Sequence, residues 1–332
     1  MWDLFVVYSF AMAFELDGMT TSHPIEVEVQ TAEQADEVFD PISYAKGASL
    51  VRMLQVYLGD DVFRKGLTKY LNNFRYSNAK TIDLWDFLGK EMKAPVGTIM
   101  RNWTKEQGFP LVTGVRSDDK LILTQIRHLS SGTLTKEQEK IVWNIPMKLR
   151  IGNETITVLF EKKKQIVDLP KNTKWVHLNA DSSGFYACQY DKTLMESLTH
   201  ALRSGDKNLN LHKRAIPQAT ENLLNLIVSF ENETAYSIWF TVLDAAQAVF
   251  HIINDDDVLA QQFKAFMRKV LLTVFKKIDW QGDKDEDEET HALLRPLILS
   301  EMSRYCYQPV IDEALKRFKA FMNLKYVYMQ YT

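Results

Sequence analysis

Seven histidines, His23, His128, His177, His200, His212, His251 and His291, are the first residues to test for metal chemistry. None is followed by Glu and then by a second His four positions on. The helical signature by which zinc peptidases hold their metal and generate hydroxide is therefore absent. No Gly-x-Ser-x-Gly elbow, phosphate loop or dinucleotide fingerprint occurs either. Cys188 and Cys306 lie far apart with no metal-ligand spacing, so both are expected to be free, buried thiols, as suits a reducing compartment. The acidic run at residues 283–289 reads as a solvated loop, because carboxylates without defined ligand geometry belong to the surface. Three sequons, at Asn102, Asn153 and Asn232, matter only in a secreted chain.

Composition narrows the partners. The 332 residues suit two or three domains, and 46% hydrophobic with 25% charged residues is ordinary for a globular protein. A net charge of -3, with no basic cluster interleaved with aromatics, argues against a nucleic-acid partner. The apolar start carries Asp3 and has no Lys or Arg before it, the reverse of a signal peptide. No run of 18 uninterrupted apolar residues follows, so no membrane partner is expected and the cytoplasm is the expected location.

The periodicity predicts three segments. Residues 1–109 are mostly helical. Ala48, Val51, Leu54 and Leu58 repeat at helical spacing until Gly59. Asp60 and Asp61 open a helix with Phe63, Leu67, Tyr70, Leu71 and Phe74 on one side. Thr81 is placed to cap a third, with Leu84, Leu88 and Met92 inward, and Pro95 starts a fourth carrying Ile99, Met100 and Trp103. From about residue 110 the period becomes two. Leu121 to Leu123 form a short run, and Trp143, Ile145, Met147, Leu149 and Ile151 alternate, with Pro146 pointing to an edge strand. Ile156, Val158 and Phe160 alternate again, and two more strands flank Asp181-Ser182-Ser183-Gly184. Short strands over 110–190 without helices predict a small β-sandwich. Over 191–332 the helical period returns, in the stripes Leu194, Leu198, Ala201, Leu202; Leu223, Leu224, Ile227, Phe230; and Phe263, Phe266, Val270, Val274, Phe275. Fold class is thus multidomain α plus β.

One segment adds chemistry. Ser22-His23-Pro24-Ile25-Glu26-Val27-Glu28-Val29 is followed by Phe39-Asp40-Pro41-Ile42-Ser43-Tyr44-Ala45-Lys46-Gly47-Ala48. This resembles the gluzincin zinc aminopeptidases, most of all the puromycin-sensitive type. The likeness continues through Trp103-Thr104-Lys105-Glu106-Gln107-Gly108-Phe109-Pro110, Gly184-Phe185-Tyr186, and Glu231 to Trp239. The resemblance implies the trailing part of a thermolysin-like catalytic domain, a β-sandwich, and an incomplete HEAT-like helical domain. It also implies that Tyr44 donates a hydrogen bond to the oxyanion of a tetrahedral intermediate. A positioned donor of this kind lowers a barrier by on the order of 3 kcal/mol. Read without the family, Tyr44 is a helix-start tyrosine packed inward. His23 is expected to make a loop hydrogen bond beside the cleft, and Lys46 and Gly47 to serve the helix start and close packing.

The departures are as instructive. In the family the zinc helix, the third ligand and the loop that binds the substrate amine lie upstream of this segment, and none is found after Met1. A helical hairpin is replaced by the short stretch 209–215, the helical domain of the family runs beyond the position of Asn323, and Ala187 stands where many members carry Arg. The expectation is part of a zinc-dependent aminopeptidase acting on peptides, inactive by itself and binding no zinc alone. The alternative is a non-catalytic peptide- or protein-binding module derived from such an enzyme.

Overall fold

The computed structural model describes residues 5–31, 34, 38–204, 206, 220–280 and 288–329. It divides into two compact units, Met1–Asn222 and Leu223–Thr332.

The first unit opens with helices. A π-helical turn, Val6–Phe10, leads into α1 (Ala11–Asp17), and a second, Ile42–Lys46, leads into α2 (Gly47–Leu58). Gly59 ends α2 at φ 81°, a conformation that favours glycine. Then come α3 (Asp60–Asn73), α4 (Thr81–Met92) and α5 (Val96–Lys105). The buried stripe of α2 is Leu50, Met53, Leu54 and Leu58, so Leu54 and Leu58 are inward but Ala48 and Val51 face out. On α3 Leu71 is likewise exposed, and Gly66 is the contact point: a β-carbon there would stand 2.8 Å from Leu88 Cδ2 of α4. Thr81 is not the cap of α4. Lys80 precedes the helix, and its N–H donates to the Asp83 carboxylate at 2.7 Å. Trp85 joins Leu88 as the buried pair of α4, with Leu84 and Met92 only half-buried. Pro95 starts α5 as expected, and Ile99, Met100 and Trp103 are buried.

Two sheets follow. Strands β1 (Pro110–Ser117), β2 (Lys120–Arg127), β3 (Ile145–Ile151), β4 (Glu154–Phe160), β5 (Lys164–Asp168), β6 (Val176–His177) and β7 (Ala187–Tyr190) form one sheet of order β5-β2-β1-β7 and another of order β4-β3-β6. Only β1 and β7 run parallel among these pairs. The alternation along β3 places Ile145, Met147, Leu149 and Ile151 inside. The edge assignment from Pro146 is corrected in part, since β3 is the middle strand. Its pairing with β6 covers only Arg150 and Ile151, so at Pro146 the strand is still an edge, where a missing N–H costs nothing.

Helix α5 is fastened to the chain entering β3. Trp103 Nε1 donates to Asn144 O at 2.9 Å, Asn102 Nδ2 to Val142 O at 2.6 Å, and Asn144 Nδ2 back to Thr98 O at 3.1 Å. A short helix, α6 (Lys136–Lys140), precedes it. Asp191 caps α7 (Lys192–Arg203), accepting from Leu194 N at 2.8 Å while its other oxygen accepts from Arg116 N at 3.0 Å. Leu194, Leu198 and Ala201 are buried there, with Met195 rather than Leu202 completing the face.

The second unit is helical: it opens within α8 (Thr220–Ser229), whose first three residues fall in the first unit, and continues through α9 (Tyr236–Ile253), α10 (Asp257–Ile278), α11 (Glu288–Arg304) and α12 (Gln308–Met329). Leu223, Ile227 and Phe230 are buried with Leu226, while Leu224 is half-buried. On α10, Met267 and Leu271 take the inward places expected for Phe266 and Phe275. Phe250, Phe263 and Tyr305 form an aromatic cluster with ring centroids 5.9–6.1 Å apart. Helix α9 has the length and mean hydropathy, 1.3, of a membrane span, and 44% of it is buried inside the fold. Of the two cysteines only Cys188 is buried; Cys306 is exposed, against expectation. The stretch 209–215 and residues 283–287 of the acidic run lie outside the described residues, while Glu288 and Glu289 open α11.

Candidate functional site

Tyr44 lies in the π-helical turn before α2, and its residue is 62% exposed, so the ring is not packed inward. The exposed Phe39 ring is its aromatic neighbour, with centroids 6.0 Å apart. The flanking Ile42 and Lys46 are buried, so the turn is anchored on both sides of a presented side chain.

The first anchor is Asp40. One carboxylate oxygen accepts from Ser43 N at 2.8 Å, and Asp40 O accepts from Tyr44 N at 3.1 Å. The other carboxylate oxygen lies 2.8 Å from His23 Nε2, while His23 Nδ1 lies 2.7 Å from Pro24 O. With an acceptor at each ring nitrogen, the imidazolium is the form that satisfies both contacts. Desolvation pulls the His23 pKa down, but the Pro24 carbonyl and the Asp40 carboxylate outweigh it and hold it above its ordinary value. Asp40 is held below its ordinary value: desolvation opposes this, and the Ser43 donor and His23 prevail. The expected loop hydrogen bond of His23 is therefore present, and through Asp40 it braces the turn that carries Tyr44.

The second anchor is a buried charge cluster. Lys46 Nζ lies 3.0 Å from Asp17 Oδ2, and both side chains are 0% exposed. This is a charge contact without an aligned hydrogen bond to that oxygen; the ammonium donates instead to Gly108 O at 3.0 Å and Glu106 O at 3.5 Å. Asp17 Oδ1 accepts from Ser22 Oγ at 2.5 Å and from Gly108 N at 3.0 Å. Burial drives the Lys46 pKa down, against the opposing pull of Asp17. Gly108 has φ 84°, and a β-carbon there would stand 2.6 Å from Arg127 Nε, so only glycine fits. Arg127 is itself buried, and none of its guanidinium nitrogens has a hydrogen-bond partner among the described residues. Burial lowers its pKa, with Asp17 as the opposing charge. Gln107 Nε2 ties the same knot, donating to Thr20 O at 3.0 Å and to Ser22 O.

Of the residues singled out in sequence, His23, Tyr44 and Lys46 thus belong to one connected structure. Gly47 does not serve close packing, since a β-carbon there would meet nothing within 4 Å. Ala187 is buried in β7 opposite Leu111. Asp17, Ser22, Gln107 and Arg127 were missed. Gly108 lies 91 positions from Asp17 and Gln107 lies 85 from Ser22; the nearer Ser22–Asp17 pair follows no recognisable motif, and a lone Asp at the end of a short helix gives no local signal. Among the described residues no three His, Cys, Asp or Glu side chains are grouped to hold a metal ion.

Known proteins share these segments. Residues 1–103 match the family described as the Peptidase family M1 domain, and residues 175–327 match the ERAP1-like C-terminal domain. Aminopeptidase M1-C of Oryza sativa subsp. japonica is 34% identical over 346 residues, covering 97% of this chain and 39% of that protein. Aminopeptidase M1 of Arabidopsis thaliana is 34% identical over 336 residues, 92% of this chain and 38% of the relative. The Alanine/arginine aminopeptidase of Saccharomyces cerevisiae is 32% identical over 295 residues, 86% and 34%. The chain spans well under half the length of each of these relatives.

Proposed function

Because the chain belongs to the peptidase M1 family of zinc aminopeptidases, we propose that it forms part of an enzyme that removes N-terminal residues from peptides, with Tyr44 as its oxyanion donor. In this reading residues 1–109 contribute to a thermolysin-like domain. The two sheets over 110–190 pack as a β-sandwich, and the helices of 191–332 are HEAT-like. The complete enzyme would work in the cytoplasm on peptide substrates.

Enzymes of this family depend on zinc. The described residues do not offer a set of ligands that fits it, and the chain by itself is proposed to be inactive. The role that falls to this chain is electrostatic. When a peptide carbonyl is attacked, its oxygen gains charge, and a fixed O–H stabilises that charge without reorganising. The observation that supports Tyr44 is its placement: an exposed phenol on a turn whose Ser43 and Lys46 are held by Asp40 and Asp17.

Tyr44→Phe in the complete enzyme keeps the ring and removes only the donor. We expect kcat to fall about a hundredfold with little change in KM, because the bond strengthens in the transition state. Unchanged turnover would leave Tyr44 with a structural role only.

A further inference from the structure

On the first unit, between α4 and α5, lies a concavity of about 1160 Å³ that the chemistry of Tyr44 does not use. Clefts for small molecules run to roughly 1000 Å³, so this one is large for a compact metabolite. Its walls carry five cations: Lys80, Lys90, Lys93, Arg101 and Lys105. All five are exposed, and none forms an ion pair among the described residues. Lys90 only overlies the Phe87 ring, at 5.3 Å. Glu26 and Asp86 are the acidic groups of the lining, so the walls carry an excess of three positive charges in a protein whose net charge is -3.

A further feature shares this sign. Helix α5 begins in the groove at Val96 with no side chain capping its first turn, and its positive end adds to the field. Its neighbour Gly97, also in the lining, lets Ile82 lie close over the helix start, where a β-carbon would stand 3.2 Å from Ile82 Cδ1. The apolar part of the wall is aliphatic and indole: Ile82 is 50% exposed at the rim, above the buried Val96 and Trp85.

We propose that this groove docks an extended acidic peptide segment, one with carboxylates spaced along the chain and an aliphatic side chain between them. The carboxylates would meet the lysines and Arg101, and the aliphatic side chain would lie on Ile82. Like-signed walls around a concavity focus field and select a ligand of opposite charge. A nucleic acid is the weaker match, because the one aromatic ring in the lining, Trp85, is buried and leaves no exposed face for a base to stack on. The inference does not depend on Tyr44 or on aminopeptidase activity.

The test is fluorescence anisotropy on the full chain with a short fluorescein-labelled peptide of alternating Glu and Leu. Arg101→Glu with Lys105→Glu should weaken binding roughly tenfold or more, as should Lys80→Glu with Lys90→Glu on the other wall, since rim charges of one sign act together. All four side chains are exposed, and circular dichroism with a melting curve confirms that each pair of changes leaves the fold intact. Lys192→Glu, on α7, should leave the affinity unchanged. Binding that survives both reversals in folded protein overturns the proposal. So does an oligonucleotide that binds as tightly as the acidic peptide, which would make the surface a general polyanion patch.

Discussion

Replacing Lys46 with Met isolates the buried anchor of the Tyr44 turn. The structure fixes what is lost. One ammonium leaves a site where it is 0% exposed, together with a charge contact of 3.0 Å and a hydrogen bond of 3.0 Å to Gly108 O. Asp17 stays behind, equally buried, but keeps donors from Ser22 and Gly108 and has Arg127 as a nearby cation. Breaking one side of a buried ion pair costs about 3–5 kcal/mol. Lys46→Met should sit at the low end of that range, because the stranded carboxylate remains solvated by protein. Asp17→Ala should sit at the high end: it strips two donors of their acceptor and leaves two buried cations, Lys46 and Arg127, without a carboxylate. The pair together should cost less than the sum of the two, since the second change removes a charge that the first had stranded. Urea unfolding followed by tryptophan fluorescence reads all three variants, and Trp103, Trp143 and Trp175 report on the first unit. A loss below about 1 kcal/mol for Lys46→Met, the range of exposed pairs, would refute the reasoning, as would strictly additive costs.

Two other outcomes follow from the same chain. His177 is fully buried, its Nδ1 has no partner among the described residues, and burial lowers its pKa from 6.5 to about 4. The unfolded state therefore takes up the proton first as pH falls, so this contribution is complete above pH 6.5 and is lost on the way down to 4. Urea titrations should show wild-type stability dropping by about 2–3 kcal/mol between pH 7 and 4.5, with a clearly smaller drop in His177→Gln; equal drops would refute it. The isolated chain should bind no stoichiometric zinc and release no fluorophore from an aminoacyl-coumarin, and one tightly held zinc per chain by metal analysis would reverse that expectation.

Much of the fold was legible because its cues are local. Gly59, the Asp60-Asp61 pair, Pro95 and Asp191 mark element ends by backbone conformation, dipole and capping, and each acts within a few residues. Strand alternation placed Met147 and Leu149 correctly because a period of two leaves no ambiguity of face. Helical stripes were less secure. On α2 a stripe through Ala48 and Val51 fits the 3.6 period almost as well as the true one through Leu50 and Met53, and only packing against other elements decides between them. For the site, Tyr44 and His23 were visible through family likeness, and spacing alone did not mark them. Asp17, Gln107 and Arg127 were illegible, since their meaning rests on contacts between the end of the first helix and the segment around Gly108, 87 and 91 positions apart for Gln107 and Asp17, and on the charge of Asp17 acting on Arg127.

The π-helical turn Ile42–Lys46 has a bearing on which insertions and deletions the gene can tolerate. A π turn holds one residue more than an α turn, and each helical residue turns the chain by about 100°. Tyr44 points outward while Lys46, two positions on and so about 200° round the helix, reaches the interior, and the surplus residue sets how this pair stands relative to Asp40 and Asp17. Deleting a single codon within this stretch would restore regular winding but rotate one of the two against the other, pulling the phenol inward or the ammonium off Asp17. Point substitutions elsewhere on α2 can be absorbed by repacking, whereas a change of length here cannot. The stretch from Asp40 to Gly47 should therefore keep its length across related genes even where its exposed residues drift.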